Sequence, residues 1–150
     1  MRTHAIRDEL TGLPNRASTV EVLDRRMARS VRDRSTLSVV LADVDFLQKI
    51  NEAHGLAAGD EVPKEAARGL EHPIRRDDSA GRHSGGDFLL VLPTLSRIPA
   101  SNGCARSMMR CAARPMRLAA GPLPVTCTFA VSILLPDQFY IADQLLELRR

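Results

Sequence analysis

The sequence predicts an α/β protein in which helices pack on a mixed β-sheet. Its 150 residues are enough for one globular domain with a real core. Two apolar runs rich in leucine and β-branched residues, 37–45 and 124–135, predict buried strands. Helical periodicity precedes the first run and separates the two. From its first strand onward, the chain predicts the order strand, helix, helix, hairpin, helix, strand, helix, which is typical of a layered α/β domain.

The first 33 residues predict an irregular opening followed by an amphipathic helix. Gly12, Pro14 and Asn15 in the stretch RDELTGLPNR indicate turns. From about Ala17 to Asp33, apolar and charged residues recur at helical spacing, so the charge run predicts a solvated face. The predicted inner face consists of Val20, Leu23, Met27 and Val31.

The segment 37–70 predicts a buried strand and two helices. The strand ends in Asp43 and Asp45, and strand ends are where α/β sheets keep their sites. We expect a short helix over 46–53, a turn in HGLAAGDE, and a second helix from about residues 59–60, with Pro63 in its first turn. Its predicted inner face consists of Val62, Ala66, Ala67 and Leu70.

The stretch AGRHSGGDFLLVLP, residues 80–93, predicts a β-hairpin. Gly85 and Gly86 accept backbone angles that other residues resist, and the run 88–92 predicts its second strand. A helix over 99–114, the strand within 124–135 and the start of a last helix at 140 complete the expected elements.

The net charge and the aromatic content of the chain indicate which class of ligand it binds. A net charge of +3 suits an anionic ligand, whereas 3% aromatic content without Trp argues against single-stranded nucleic acid, so a phosphate-bearing small molecule is favoured. No apolar stretch is long enough to span a bilayer or serve as a signal peptide, which predicts a cytoplasmic location. Cys104, Cys111 and Cys127 lack metal-ligand spacing and predict reduced, structural thiols.

Three stretches in this order and spacing resemble the GGDEF domain family, the diguanylate cyclases that join two GTP molecules into cyclic di-GMP. They are DELTGLPNR, DVDFLQKINEAHGLAAGDE and RRDDSAGRHSGGDF. The resemblance implies one GGDEF-like domain over 1–150, with a mixed, mainly antiparallel sheet flanked by helices, as in the palm of nucleotide cyclases and polymerases. The sequence stops at LLELRR, so we expect an incomplete C-terminal helix.

The resemblance also implies a nucleotide site with Mg²⁺. Asp43, the backbone carbonyl of Val44, and Asp87 match metal-ligand positions, and Asp87 also matches the catalytic position. Asn51 and Asp60 match residues that hydrogen-bond guanine, a role that suits an amide and a carboxylate. The residues by themselves allow a simpler interpretation, with Asp60 as a helix N-cap and Asn51 at a helix terminus.

This chain departs from the family in the segment 82–88, hereafter the signature turn. The family pattern is an arginine, an aromatic residue and then Gly-Gly-Asp/Glu-Glu-Phe. Here the same seven positions read Arg-His-Ser-Gly-Gly-Asp-Phe, with Ser84 and Gly85 at the two glycine positions. Gly86 therefore takes the place of one acid and Asp87 that of the other. Gln48 replaces a lysine and Leu56 a histidine of the family pattern. Mg²⁺ demands near-ideal oxygen geometry, so we expect impaired catalysis.

Arg75 and Asp78 stand at the offset where the family carries its product-inhibition site. Arginine can donate two hydrogen bonds to phosphate or guanine, and aspartate accepts from guanine N–H groups. Arg106 is a further candidate of the same kind. The simpler interpretation of RRDD is a solvated surface turn.

Four functions follow from these expectations. The favoured one is a degenerate GGDEF domain, inactive or weak as a cyclase, that regulates or binds cyclic di-GMP. The others are an active diguanylate cyclase working as a homodimer, a GTP-binding activator of an adjoining phosphodiesterase or sensor domain, and a protein-interaction domain that binds no nucleotide.

Overall fold

The computed structural model describes residues 6–71, 78–93, 115–119 and 121–135. In chain order the elements are α1 (Arg16–Asp33), β1 (Leu37–Val44), α2 (Leu47–Glu71), β2 (Ser79–Ser84), β3 (Asp87–Leu92), β4 (Met116–Leu118), β5 (Gly121–Leu123) and β6 (Cys127–Leu134). The predicted helix over 99–114 and the predicted C-terminal helix lie outside these ranges. Among the described residues, no helix has the length and hydropathy of a membrane span.

Four strands form an antiparallel sheet in the order β2-β3-β1-β6, and β4 and β5 form a separate hairpin. Strand β1 is central, and its apolar run is buried on both faces of the sheet. Alternate residues point to opposite faces. On one face β1 and β3 pack with α1, and on the other with α2. The expected fold class is thus confirmed, with every described strand pairing antiparallel.

Helix α1 matches its predicted range, but its buried face is shifted by one residue. Leu23 and Met27 are buried as expected, whereas Thr19 and Ser30 are buried in place of the half-buried Val20 and Val31. The cause is close packing on β2, because a Cβ added at Gly81 would lie 1.8 Å from Thr19 Oγ1. Small side chains are needed where the helix and sheet approach this closely.

The prediction for the start of the second helix was wrong. The interruption of α2 is confined to Gly55, whose φ of 85° and ψ of 167° lie outside the helical region. Helical structure resumes at Leu56, so Pro63 lies in the helix interior and not in its first turn. The two alanines at 57 and 58 favour helix, and this preference prevails over the turn signal of the flanking glycines.

The strands agree with expectation more closely. The signature turn comprises the end of β2, the two glycines at 85 and 86 and the start of β3, with a register irregularity between Arg82 and Ser84. Gly85 has a φ of 39°, in the left-handed region that favours glycine. Strand β6 covers most of the predicted 124–135, while β1 ends one residue before Asp45.

An ion pair ties the N-terminal segment to the signature turn. Arg82 Nη1 donates to Asp8 Oδ1 at 3.1 Å, and the two side chains are only 18% and 21% exposed. Arg82 Nε also donates to the Gly85 carbonyl at 2.9 Å, and the Arg82 amide donates to the Pro14 carbonyl at 3.0 Å. One arginine thus connects the opening turn with the left-handed residue of the hairpin.

The electrostatics of Asp8 follow from these contacts. Partial burial favours the neutral acid, but hydrogen bonds from the Thr11 hydroxyl and amide and from Arg82 outweigh it, so the pKa of Asp8 is lowered. A carboxyl with a lowered pKa in the folded state stabilises the fold above its ordinary pKa. That contribution is lost as the pH falls through the lowered value.

We expect Asp8→Asn to lower the free energy of unfolding by about 1–3 kcal/mol at neutral pH, because it removes a charged hydrogen-bond acceptor. The difference from the unmodified chain should shrink in acid, where Asp8 becomes protonated. Denaturant unfolding over a pH series measures both effects. Glu9→Gln, a change at an exposed neighbour, is the control, and equal stability of Asp8→Asn and the unmodified chain at neutral pH would contradict the assigned role.

Candidate nucleotide site

Asp43 and Asp87 lie directly opposite each other on β1 and β3. Residues paired in this way project to the same face of the sheet, with Cβ atoms about 4.5–5.5 Å apart. By strand alternation this is the face that α1 covers, beyond Leu41 and Leu89. Both aspartates are half-buried. The two residues that the resemblance assigns to metal binding are thus cross-strand neighbours.

The donor set around these carboxylates suits one divalent cation. Two like charges facing each other across strands destabilise a sheet, and a cation between them offsets that repulsion. Mg²⁺ is commonly held by one or two carboxylates together with substrate phosphates. Within the described ranges, no cluster of three or more His, Cys, Asp or Glu side chains could hold a metal. Among these described residues, the two facing carboxylates have the ligand chemistry that such an ion requires.

Ser84 and Val44 connect this pair to the signature turn. The Ser84 hydroxyl donates to Asp87 Oδ2 at 3.2 Å, so a residue at a family glycine position orients the remaining acid of the turn. The Val44 amide donates to the Gly86 carbonyl at 2.9 Å. The end of β1 and the turn are thereby held together, which places the Val44 backbone beside the two aspartates.

Gly86 occupies a crowded position. A Cβ added there would lie 3.0 Å from both Val44 Cβ and Leu47 Cδ2, closer than carbon atoms normally approach. Unlike Gly85, it is not among the residues with positive φ. Packing, and not backbone conformation, therefore favours glycine at the position that the resemblance assigns to an acid.

Asp45, which sequence reasoning left without a role, fastens β1 to β6. Its carboxylate accepts from the hydroxyls of Thr126 at 2.8 Å and Thr128 at 2.6 Å. Its backbone amide donates to the Thr126 carbonyl at 2.8 Å. In the sequence, this contact corresponds to a carboxylate after one strand and a Thr-x-Thr pair at the start of another. The partners are more than 80 residues apart, so the sequence alone did not indicate that they meet.

Asn51 and Asp60 lie on either side of the interruption at Gly55. A Cβ added at Gly59 would lie 1.3 Å from Asn51 Oδ1, so the amide packs on the residue next to Asp60. Asn51 is half-buried and Asp60 is exposed. Both lie inside α2, so the interpretation of Asp60 as an N-cap was wrong and Asn51 does not end the helix.

Helix α2 is also joined to the hairpin formed by β4 and β5. The Glu61 carboxylate accepts from the Ala119 amide at 2.9 Å. This contact holds the hairpin beside the residue that follows Asp60. Neither β4 nor β5 was predicted from the sequence, because strands of three residues, one of which contains Pro122, carry almost no periodic signal.

Asp78 lies in a groove and not on a solvated turn. Its exposure is 6%, which corrects the simpler interpretation of RRDD for this residue. It lines a groove of about 320 Å³ together with Arg7, Leu13 and Thr19. Arg75 and Arg106, its predicted partners, lie outside the described residues.

Comparison with known proteins agrees with this fold. The family model "Diguanylate cyclase, GGDEF domain" matches residues 5–148. The chain is 35% identical to diguanylate cyclase DgcP of Pseudomonas aeruginosa over 131 residues, covering 87% of this chain and 20% of DgcP. It therefore spans about a fifth of that relative.

Two solved structures are similar to nearly all of the chain. One is diguanylate cyclase SiaD of P. aeruginosa, solved in complex with its activator SiaC, with a TM-score of 0.83, 33% identity, and coverage of 95% of this chain and 54% of SiaD. The other is a sensory box/GGDEF family protein of Caulobacter crescentus, with a TM-score of 0.82, 30% identity, and coverage of 95% and 92%. The extent of these matches, together with the family model, shows that the chain belongs to the GGDEF domain family of diguanylate cyclases.

Proposed function

We propose that this chain is a degenerate GGDEF domain, inactive or weak as a diguanylate cyclase, that acts as a regulatory, cyclic di-GMP-binding module. The observation that carries the proposal is the packing at Gly86. A Cβ at position 86 would crowd Val44 and Leu47, so glycine fits the packing there, and Asp87 is the one acid in the sequence of the signature turn.

Phosphoryl transfer explains why one lost acid matters. The reaction depends on metal ions that position the triphosphate and neutralise its developing charge. Asp43 and Asp87 would hold one Mg²⁺, which when bound would supply part of that stabilisation. A turn with a single carboxylate supplies fewer oxygen ligands than the family pattern, and Mg²⁺ tolerates poor geometry badly.

Two departures from the family pattern on α2 would also lower cyclase activity. Gln48 stands where the family has a lysine, and its amide donates to Glu52 Oε1 at 3.3 Å instead of presenting a cation. Leu56 stands where the family has a histidine and is 76% exposed. Each change removes a polar or charged group that could contact phosphate or base.

Binding of cyclic di-GMP rests on Arg75 and Asp78. The offset of this pair from the signature turn matches the family's inhibitory site, and Asp78 lines a groove that a ligand can enter. Guanine N–H groups suit the carboxylate, while the Arg75 guanidinium suits phosphate or the other edge of guanine. Arg106 is a further candidate in the same role.

A second candidate function is GTP binding without turnover, which would activate an adjoining phosphodiesterase domain. The packing of Asn51 on Gly59, beside Asp60, favours it because it retains the guanine-reading pair. The facing carboxylates Asp43 and Asp87 could also support weak diguanylate cyclase activity. That activity would require two domains to meet, because each site binds one GTP.

The function is tested by calorimetric titration of the chain with cyclic di-GMP. We expect saturable binding that Arg75→Ala abolishes, because the guanidinium supplies two charged hydrogen bonds. Arg76→Ala is the matched control and should bind like the unmodified chain. Unchanged affinity in Arg75→Ala, or no binding at all, would refute the cyclic di-GMP part of the proposal.

The packing at Gly86 is tested by a double-mutant cycle with Leu47. Gly86→Ala should destabilise the fold by about 1–3 kcal/mol, because the added methyl crowds Leu47. In a Leu47→Ala background the same change should cost less, so the two sites should show a coupling energy of at least about 0.5 kcal/mol in denaturant unfolding. Strictly additive effects on the free energy of unfolding would mean that the Leu47 side chain does not restrict the space beside residue 86.

GTP binding is tested by thermal unfolding with GTP and Mg²⁺. The second candidate function predicts a rise in melting temperature that Asn51→Ala abolishes, since the amide reads the base. Glu52→Gln, at an exposed neighbour on the same helix, should preserve the shift. A GTP-dependent shift of equal size in Asn51→Ala would show that the nucleotide binds elsewhere.

A further inference from the structure

The groove that contains Asp78 lies between the N-terminal turn, α1 and the start of β2. Arg7 stands on the turn, Val22 on α1 and Asp78 just before β2. Its volume of about 320 Å³ is near the lower limit of small-molecule sites. That size suits one nucleobase with part of its sugar, and the rest of a cyclic dinucleotide would lie outside it.

The two charged residues of this groove differ in exposure. Asp78 is 94% buried, whereas Arg7 is exposed. Arg7 Nη1 donates to the Gly12 carbonyl at 2.6 Å, which anchors the guanidinium to the turn. A guanidinium has five N–H donors, so one bond to a carbonyl leaves it able to bind a ligand.

The chemistry of the groove matches guanine. Guanine presents acceptors at O6 and N7, which arginine contacts with two parallel hydrogen bonds, and N–H donors at N1 and N2, which a carboxylate accepts. Leu13 and Val22 supply apolar surface for the faces of the base. Adenine lacks O6 and carries an amino group in its place, so the same residues would disfavour it.

We propose that Arg7 is a guanine-reading residue that, together with Asp78, holds one base of cyclic di-GMP in this groove. The inference rests on the proposed function, because the ligand is the one proposed there. It adds a determinant of base specificity from the N-terminal turn, a part of the chain remote in sequence from Arg75. The turn that Asp8 and Arg82 tie to the hairpin thereby becomes part of the ligand site.

Calorimetric titrations with cyclic di-GMP and with cyclic di-AMP test the inference. The unmodified chain should prefer cyclic di-GMP. Arg7→Ala should weaken binding of cyclic di-GMP by about tenfold to a hundredfold and reduce the preference over cyclic di-AMP. Arg7→Lys keeps the charge but not the paired donors, so it should also lose preference. Arg117→Ala, at an exposed arginine of β4 outside the groove, is the control.

The ratio of the two affinities separates base reading from a loosened turn. A variant that only disturbs the turn would weaken both dinucleotides alike, and that outcome would overturn the role of Arg7. Arg7 variants that bind cyclic di-GMP with unchanged affinity and preference would overturn it while the proposed function stands. If the unmodified chain binds neither dinucleotide, cyclic di-GMP binding fails as a whole and this inference fails with it.

Discussion

The pairing register of β1 with β3 is the constraint on which the rest of the structure depends. It buries one set of alternating residues under α1 and the other under α2, and it sets Asp43 opposite Asp87. A shift of one residue would turn both apolar sets to the wrong faces, so burial of the two cores fixes the register strongly. The carboxylate pair is therefore held in place by the hydrophobic core and does not depend on a nucleotide.

The signature turn is fixed by contacts from three parts of the chain. Arg82 joins it to Asp8 of the N-terminal segment, Val44 binds the Gly86 carbonyl, and Leu47 packs against Gly86 itself. These contacts order the turn as a structural element even though it carries a single acid. The packing around the turn thus accommodates glycine at position 86.

Much of the fold could be predicted because its signals are local. The apolar run of β1, the periodicity of α1 and the two glycines of the hairpin each depend on neighbouring residues alone. The interruption at Gly55 was misplaced because adjacent glycines and alanines give opposing signals there. The pairing of Asp8 with Arg82 spans 74 residues, and the crowding at Gly86 depends on three elements meeting, so neither could be read from sequence order.

For the candidate site too, individual residues could be predicted from the sequence, whereas contacts between distant residues could not. Family resemblance named Asp43, Asp87, Asn51 and Asp60. The structure sets Asp43 opposite Asp87 and packs Asn51 on Gly59, the residue before Asp60. The family resemblance gave no role to Ser84, Asp45 or Arg7, because the contacts of these side chains form only in the folded chain. Departures from a family pattern become interpretable when the packing around them is known, as at Gly86.

Turnover of GTP with Mg²⁺, followed by chromatography of the products, tests the central claim most directly. We expect no cyclic di-GMP above a protein-free blank, even at high protein concentration where two domains meet readily. Cyclic di-GMP formed at about 1 s⁻¹ or faster, within the ordinary range of enzymes, and lost in Asp43→Asn, would contradict it. In that case the single acid of the signature turn would be sufficient for catalysis.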